Sequence, residues 1–267
     1  MAPHGPRALL VVLFATFTAM ASADPRTESV VEVARGRHRI VQPDGPARGA
    51  YVFFHGYRSS AALTLRDQRA LVDVARAHGL AFVVPDGIDG TWSLPHSPAR
   101  GRDEQAFLGE VLDDLKARYG FGAADTLLGG FSQGASVAFY AACAQGGRFA
   151  GMITFSGVFW NPPPEAGDCV SDIPPTVHFH GTADRTFPLA GRAIGASFHQ
   201  GDTFESLAIL RAAAGCARDE TVPITLAGIL CEAAVDCHRG PITLCLHPGG
   251  HRTDAGQLDA ALTALGF

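Results

Sequence analysis

Short apolar runs alternate with amphipathic ones along most of the chain. Residues 50–54, 80–84, 151–155, 176–180 and 242–246 are mainly apolar and too short for helices, which predicts strands buried on both faces. Between them, residues 66–78, 104–119, 133–145, 203–214 and 254–265 repeat apolar positions at helical spacing. The pattern is clearest in 104–119. Phe107, Leu108, Val111, Leu112 and Leu115 share one face, and Glu110, Asp113, Asp114 and Lys116 share the other, with Asp103 placed to cap the start. Residues 29–34 and 38–42 predict two short strands around Arg35-Gly36-Arg37. Residues 224–230 predict one more strand, and the Pro-rich stretch 161–175 a loop. Strands alternating with helices imply an α/β chain: a mostly parallel sheet with helices on both faces. Ligands in such sheets bind beyond the carboxyl ends of the strands.

The N-terminus departs from this pattern. Arg7 precedes an apolar run at 8–20, and Ala21-Ser22-Ala23 follows. That order predicts an export leader cleaved after Ala23, with one catalytic-size domain from residue 24 to 267 in the periplasm or outside the cell. The run is too short to span a bilayer comfortably, and no later stretch is long and apolar enough. Export changes the reading of the six cysteines, Cys143, Cys169, Cys216, Cys231, Cys237 and Cys245. An even number in an oxidising compartment predicts disulfides, with about fifteen pairings open. Zinc is the rival, but no C-x-x-C pair is present and the His residues are not spaced like a partner set, so no metal is expected. The net charge of −5 and a single lysine, Lys116, give no basic surface for nucleic acid.

The candidate chemistry centres on Gly130-Phe131-Ser132-Gln133-Gly134. In a G-x-S-x-G pattern between a strand and a helix, the serine sits on a tight turn that lifts its hydroxyl clear of the sheet. The turn also points the free N–H groups of the helix start at the same space. A serine hydroxyl needs a base, and the base needs an acid to hold its tautomer. Asp184 and His251 follow in the order Ser, Asp, His, each just past a predicted strand. Gly249-Gly250 predict a flexible approach for His251. His247 competes as base and Asp172 as acid, but Asp172 falls at the wrong end of its strand. His178 and His180 share one strand face and suggest a metal pair, yet no third ligand fits. Backbone N–H groups of Gln133 and of Tyr57, in the His55-Gly56-Tyr57 turn, are the candidate oxyanion donors. Trp92, Trp160 and Phe187 are candidate pocket walls, and Arg58 a candidate contact to a carboxylate or hydroxyl on the substrate.

These pieces together resemble the polyhydroxybutyrate depolymerase-like esterases, a group similar to feruloyl and acetylxylan esterases. The resemblance runs from about residue 50 to the C-terminus. It rests on Phe53-Phe54-His55-Gly56, Pro85-Asp86-Gly87 with Trp92, residues 103–108, Gly130 to Gly134, His180-Gly181-Thr182-Ala183-Asp184, Gly215-Cys216 and Gly249-Gly250-His251. It implies an α/β-hydrolase fold, a Ser132–His251–Asp184 triad, an exported serine carboxylesterase and no cofactor. The implied substrate is a short hydroxyalkanoate ester or oligomer, with a feruloylated or acetylated sugar as the alternative. Polymer-degrading members carry a linker and a polymer-binding domain that this sequence lacks, so crystalline polyester is not expected. A non-catalytic binding protein on the same fold is the rival outside enzymes; loss of a triad residue would mark it, and none is missing.

Overall fold

The computed structural model describes Met1 and residues 28–217 and 221–267; the expected leader and its cleavage point lie outside the described residues. A ten-stranded sheet forms the centre. Its middle is a parallel block of six strands: β3 (Gly49–Phe54), β4 (Leu80–Pro85), β5 (Thr126–Phe131), β6 (Gly151–Phe155), β7 (Thr176–Gly181) and β12 (Ile242–His247). They lie in the order β4-β3-β5-β6-β7-β12. Antiparallel hairpins flank the block: β1 (Glu28–Val33) with β2 (Gly36–Val41) beside β4, and β10 (Val222–Leu226) with β11 (Ile229–Ala234) beside β12.

Alternation along the strands divides the core. Val52 and Phe54 join α3 (Glu104–Tyr119), α4 (Gln133–Gln145) and α5 (Thr203–Ala213) on one face. Tyr51 and Phe53 join α1 (Ala61–Asp67), α2 (Arg69–Ala77) and α6 (Ala255–Ala264) on the other. This is the two-sided burial that the apolar runs predict.

Two predicted elements differ in detail. The expected helix at 66–78 is two helices that meet at Gln68, whose ψ of 33° breaks the helical path. The first starts earlier, because Ser60 Oγ accepts from Leu63 N and the Asp86 carboxylate accepts from Ala61 N. The strand expected at 224–230 is the β10–β11 hairpin instead. Its two-residue turn, Ala227-Gly228, has φ of 50° and 73°, and Ala at the first position hid the usual Asn-Gly or Asp-Gly signal. A small hairpin, β8 (Arg192–Ile194) and β9 (Phe198–Gln200), was not foreseen in the sequence.

Six cysteines form three disulfides, Cys143–Cys169, Cys216–Cys237 and Cys231–Cys245. The last joins directly paired residues of β11 and β12, and the second ties the end of α5 to the segment after β11. Together they brace the strand that leads to His251. No helix among the described residues is long and apolar enough to cross a membrane.

Candidate active site

The three triad candidates, Ser132, Asp184 and His251, stand past the carboxyl ends of the parallel strands β5, β7 and β12. Ser132 follows β5 directly, with φ 60° and ψ −127°, values that a non-glycine residue holds only under constraint. The constraint is close packing. A Cβ on Gly130 would lie 2.4 Å from Gly134 O, and one on Gly134 would lie 2.1 Å from Phe54 O. Only glycine lets the start of α4 pass this close to β3. The Gln133 side chain ties the turn to the neighbouring loop: its Oε1 accepts from Thr91 Oγ1 at 3.0 Å, and its Nε2 donates to Trp92 O at 3.3 Å.

Ser132 Oγ lies 2.8 Å from His251 Nε2, and His251 Nδ1 lies 2.7 Å from Asp184 Oδ2. An ionised carboxylate only accepts, so His251 Nδ1 carries the proton and Nε2 is left to accept from the serine hydroxyl. Phe131 and Phe187 pack against the imidazole, with centroids at 4.6 Å and 5.6 Å, the second nearly parallel at 7°. The Asp184 side chain is fully buried. Burial alone would push its carboxyl up, but the His251 hydrogen bond and the Phe187 N–H outweigh it and hold it at about 2. Asp184 Oδ1 accepts from Thr186 N and Phe187 N, both at 2.8 Å.

The loops carrying the acid and the base are joined by backbone hydrogen bonds. Thr182 N donates to His247 O, and Ala183 N to Gly249 O. A Cβ on Gly181 would lie 2.3 Å from Gly249 O. Gly181 therefore lets the two loops approach this closely, and the Gly249-Gly250 backbone is tied to the acid loop through the Ala183 N–H. His247, the rival base, accepts from Gly249 N at Nδ1, 3.0 Å away, and so helps shape the loop. Asp172, the rival acid, gives its backbone oxygen to Arg239 beside Gly146, at the opposite edge of the sheet.

His178 and His180 form a directed chain below the acid. His180 Nε2 donates to Phe187 O at 2.7 Å, so its Nδ1 is free to accept from His178 Nε2 at 3.0 Å. His178 Nδ1 then accepts from Thr154 Oγ1 at 2.9 Å. Burial lowers the pKa of both imidazoles and keeps them neutral. The chain fastens the backbone of Phe187, which also touches Asp184 and His251. Among the described residues no group of three or more ligand-type side chains gathers for a metal.

The N–H groups of Tyr57 and Gln133 make no hydrogen bond among the described residues, and Gln133 opens α4, where such donors are free of helical partners. A pocket of about 480 Å³ opens beside them. Its lining includes Tyr57, Trp160, Phe187 and Ile194 together with Ser132 and Gln133. Two sequence expectations are corrected here. Trp92 is fully buried and donates from Nε1 to His55 O at 2.8 Å, so it supports the end of β3 and does not line the pocket. Arg58 is exposed, with its guanidinium over the Tyr57 ring at 5.3 Å, outside the pocket lining. The charged residue in the lining is Arg192, which the sequence reading missed because β8 and β9 are only three residues each. A larger groove of about 800 Å³ runs between Ser93–Gln105 and Pro162–Pro164. It contains none of the three triad candidates, and its Glu104 carboxylate is already paired with Arg102.

A family model described as Phospholipase/Carboxylesterase matches residues 105–204, a stretch that contains Ser132 and Asp184 and stops before His251. No curated protein matches the chain. Among solved structures, an acetyl xylan esterase from Aspergillus awamori is 16% identical with a TM-score of 0.64, over 90% of this chain and 99% of that one. Esterase PE8 is 23% identical with a TM-score of 0.56, over 85% and 95% of the two chains. A phospholipase/carboxylesterase from Dyadobacter fermentans is 19% identical with a TM-score of 0.59, over 87% and 96%. Likeness at these identities shows the fold, and the fold is that of the α/β-hydrolases.

Proposed function

We propose that the protein is a serine carboxylesterase that works through an acyl-enzyme on Ser132. The observation that carries this reading is the continuous hydrogen-bonded line Ser132–His251–Asp184 at one edge of the sheet. His251 Nε2 takes the hydroxyl proton as Ser132 Oγ attacks the ester carbonyl. Tyr57 and Gln133 N–H groups stabilise the oxyanion, and Asp184 holds the imidazole and its charged form. The alcohol leaves with the proton from His251, and water then cleaves the acyl-enzyme by the same steps in reverse.

The likeness to an acetyl xylan esterase supports an ester of a carbohydrate-type alcohol over a hydroxyalkanoate oligomer. The pocket, at about 480 Å³ with Trp160, Phe187 and Tyr57 in its walls, suits an acyl group larger than acetyl, of medium chain length or feruloyl size. The three disulfides support an exported location, secreted or periplasmic.

The test is hydrolysis of p-nitrophenyl esters, acetate through octanoate plus ferulate, by the wild type and Ser132→Ala. Turnover that peaks beyond acetate and disappears in the variant is expected. Absence of turnover on the whole series, or equal rates in the two proteins, would overturn the reading and favour a binding protein on a hydrolase fold.

A further inference from the structure

The acyl pocket has one charged side chain in its lining, and its placement is built. Arg192 lies on β8 directly across from Gln200 on β9. Gln200 is buried and bridges to Trp160, while Gly201 N donates to Phe159 O and Asn161 N to His199 O. The hairpin is thereby fixed to the pocket wall. The Arg192 side chain is aimed by its Nε, which donates to Thr186 O at 2.8 Å and to Gln200 Oε1 at 3.2 Å. Both acceptors belong to residues of the pocket lining. The two terminal nitrogens make no hydrogen bond or ion pair among the described residues. A guanidinium oriented by one nitrogen, with two parallel donors free, matches the two oxygens of a carboxylate.

The side of the ester that enters this pocket follows from the proton path. The leaving alcohol must take its proton from His251 Nε2, so it departs on the His251 side. The pocket is lined by Ser132, Gln133 and Tyr57 but not by His251, which places the acyl chain in it. Resting on the serine esterase reading, we infer that Arg192 binds a carboxylate at the far end of the acyl chain, and that the preferred substrates are half-esters of dicarboxylic acids. This is the role that the sequence reading gave to Arg58, moved to the guanidinium that faces the pocket.

The test compares mono-p-nitrophenyl adipate with p-nitrophenyl hexanoate, two acyl chains alike except for the terminal carboxylate. The ratio of their kcat/KM values is measured in the wild type, Arg192→Lys, Arg192→Gln and Arg192→Glu. The wild type should favour the adipate monoester. The ratio should fall about tenfold in Arg192→Gln, mainly through KM, fall further in Arg192→Glu, and be partly kept in Arg192→Lys. Raising salt from about 0.05 to about 0.5 M should lower the wild-type ratio, because the pair faces solvent at the pocket mouth. A ratio that is unchanged by loss or reversal of the charge overturns the subsite while leaving the esterase intact. No turnover of either ester, with no fluorophosphonate label on Ser132, overturns the esterase reading and this inference with it.

Discussion

At Gly134 the space for a side chain is already occupied: a Cβ would fall 2.1 Å from Phe54 O and 2.5 Å from His55 O. Neither oxygen belongs to a flexible side chain, so Gly134→Ala should cost about 3 kcal/mol or more in denaturant unfolding. Near-wild-type stability would mean that α4 approaches β3 less closely than described. Asp184 makes a second prediction. Its carboxyl is held at about 2, below the ordinary 3.8. A carboxyl with a depressed folded pKa stabilises the fold above its unfolded value and loses that contribution as pH falls toward the folded one. About 2 kcal/mol should therefore disappear between about pH 4 and pH 2. The denaturant midpoint of the wild type should fall across that window more steeply than that of Asp184→Asn. Parallel slopes would contradict the assignment. In Asp184→Asn, kcat on an ester should also drop by about four orders of magnitude, since the imidazole loses the acceptor that fixes its tautomer.

At the scale of elements, apolar runs were the most readable feature. The parallel strands and the helix at Glu104–Tyr119 appear where patterning puts them, because two-sided burial and a clean amphipathic face leave a direct mark on residue order. Ser132, Asp184 and His251 were legible for a related reason: each directly follows a strand or its tight turn, so finding the strand locates the residue. The pocket was not legible. Thr186, Arg192, Ile194 and Gln200 come from a loop and a hairpin of two three-residue strands whose contacts are long-range, and no periodicity marks them. Trp92 misled because an aromatic residue in a predicted loop near the active edge reads as a pocket wall, whereas this one is held inside by its indole N–H on His55 O. The β10–β11 hairpin was missed through its turn, where Ala227 takes φ 50°. Asparagine accepts that conformation more easily, so Ala227→Asn should stabilise the protein by about 0.5–1 kcal/mol. An unchanged or lower melting temperature would contradict the turn geometry.

The whole molecule is braced on the side that carries the base. Two of its three disulfides close sequence separations of 21 and 14 residues around β11 and β12, and the third closes 26 residues between α4 and the loop before β7. Each loop of that size is worth about 3 kcal/mol through the unfolded chain's lost freedom. Full reduction should lower the melting temperature strongly, with loss of ester turnover at temperatures where the oxidised protein is active. Calorimetry with and without reductant checks this, and equal melting temperatures would show that the bridges carry no stability. The same framework brings β5, β7 and β12 to one edge so that a single hydroxyl meets a single imidazole. The most direct measurement of that claim is stoichiometric labelling with a fluorophosphonate, followed by peptide mass spectrometry on the wild type and His251→Ala. One label per chain is expected, on Ser132, formed far more slowly in the variant. A label elsewhere, or none on the folded wild-type protein, would contradict it.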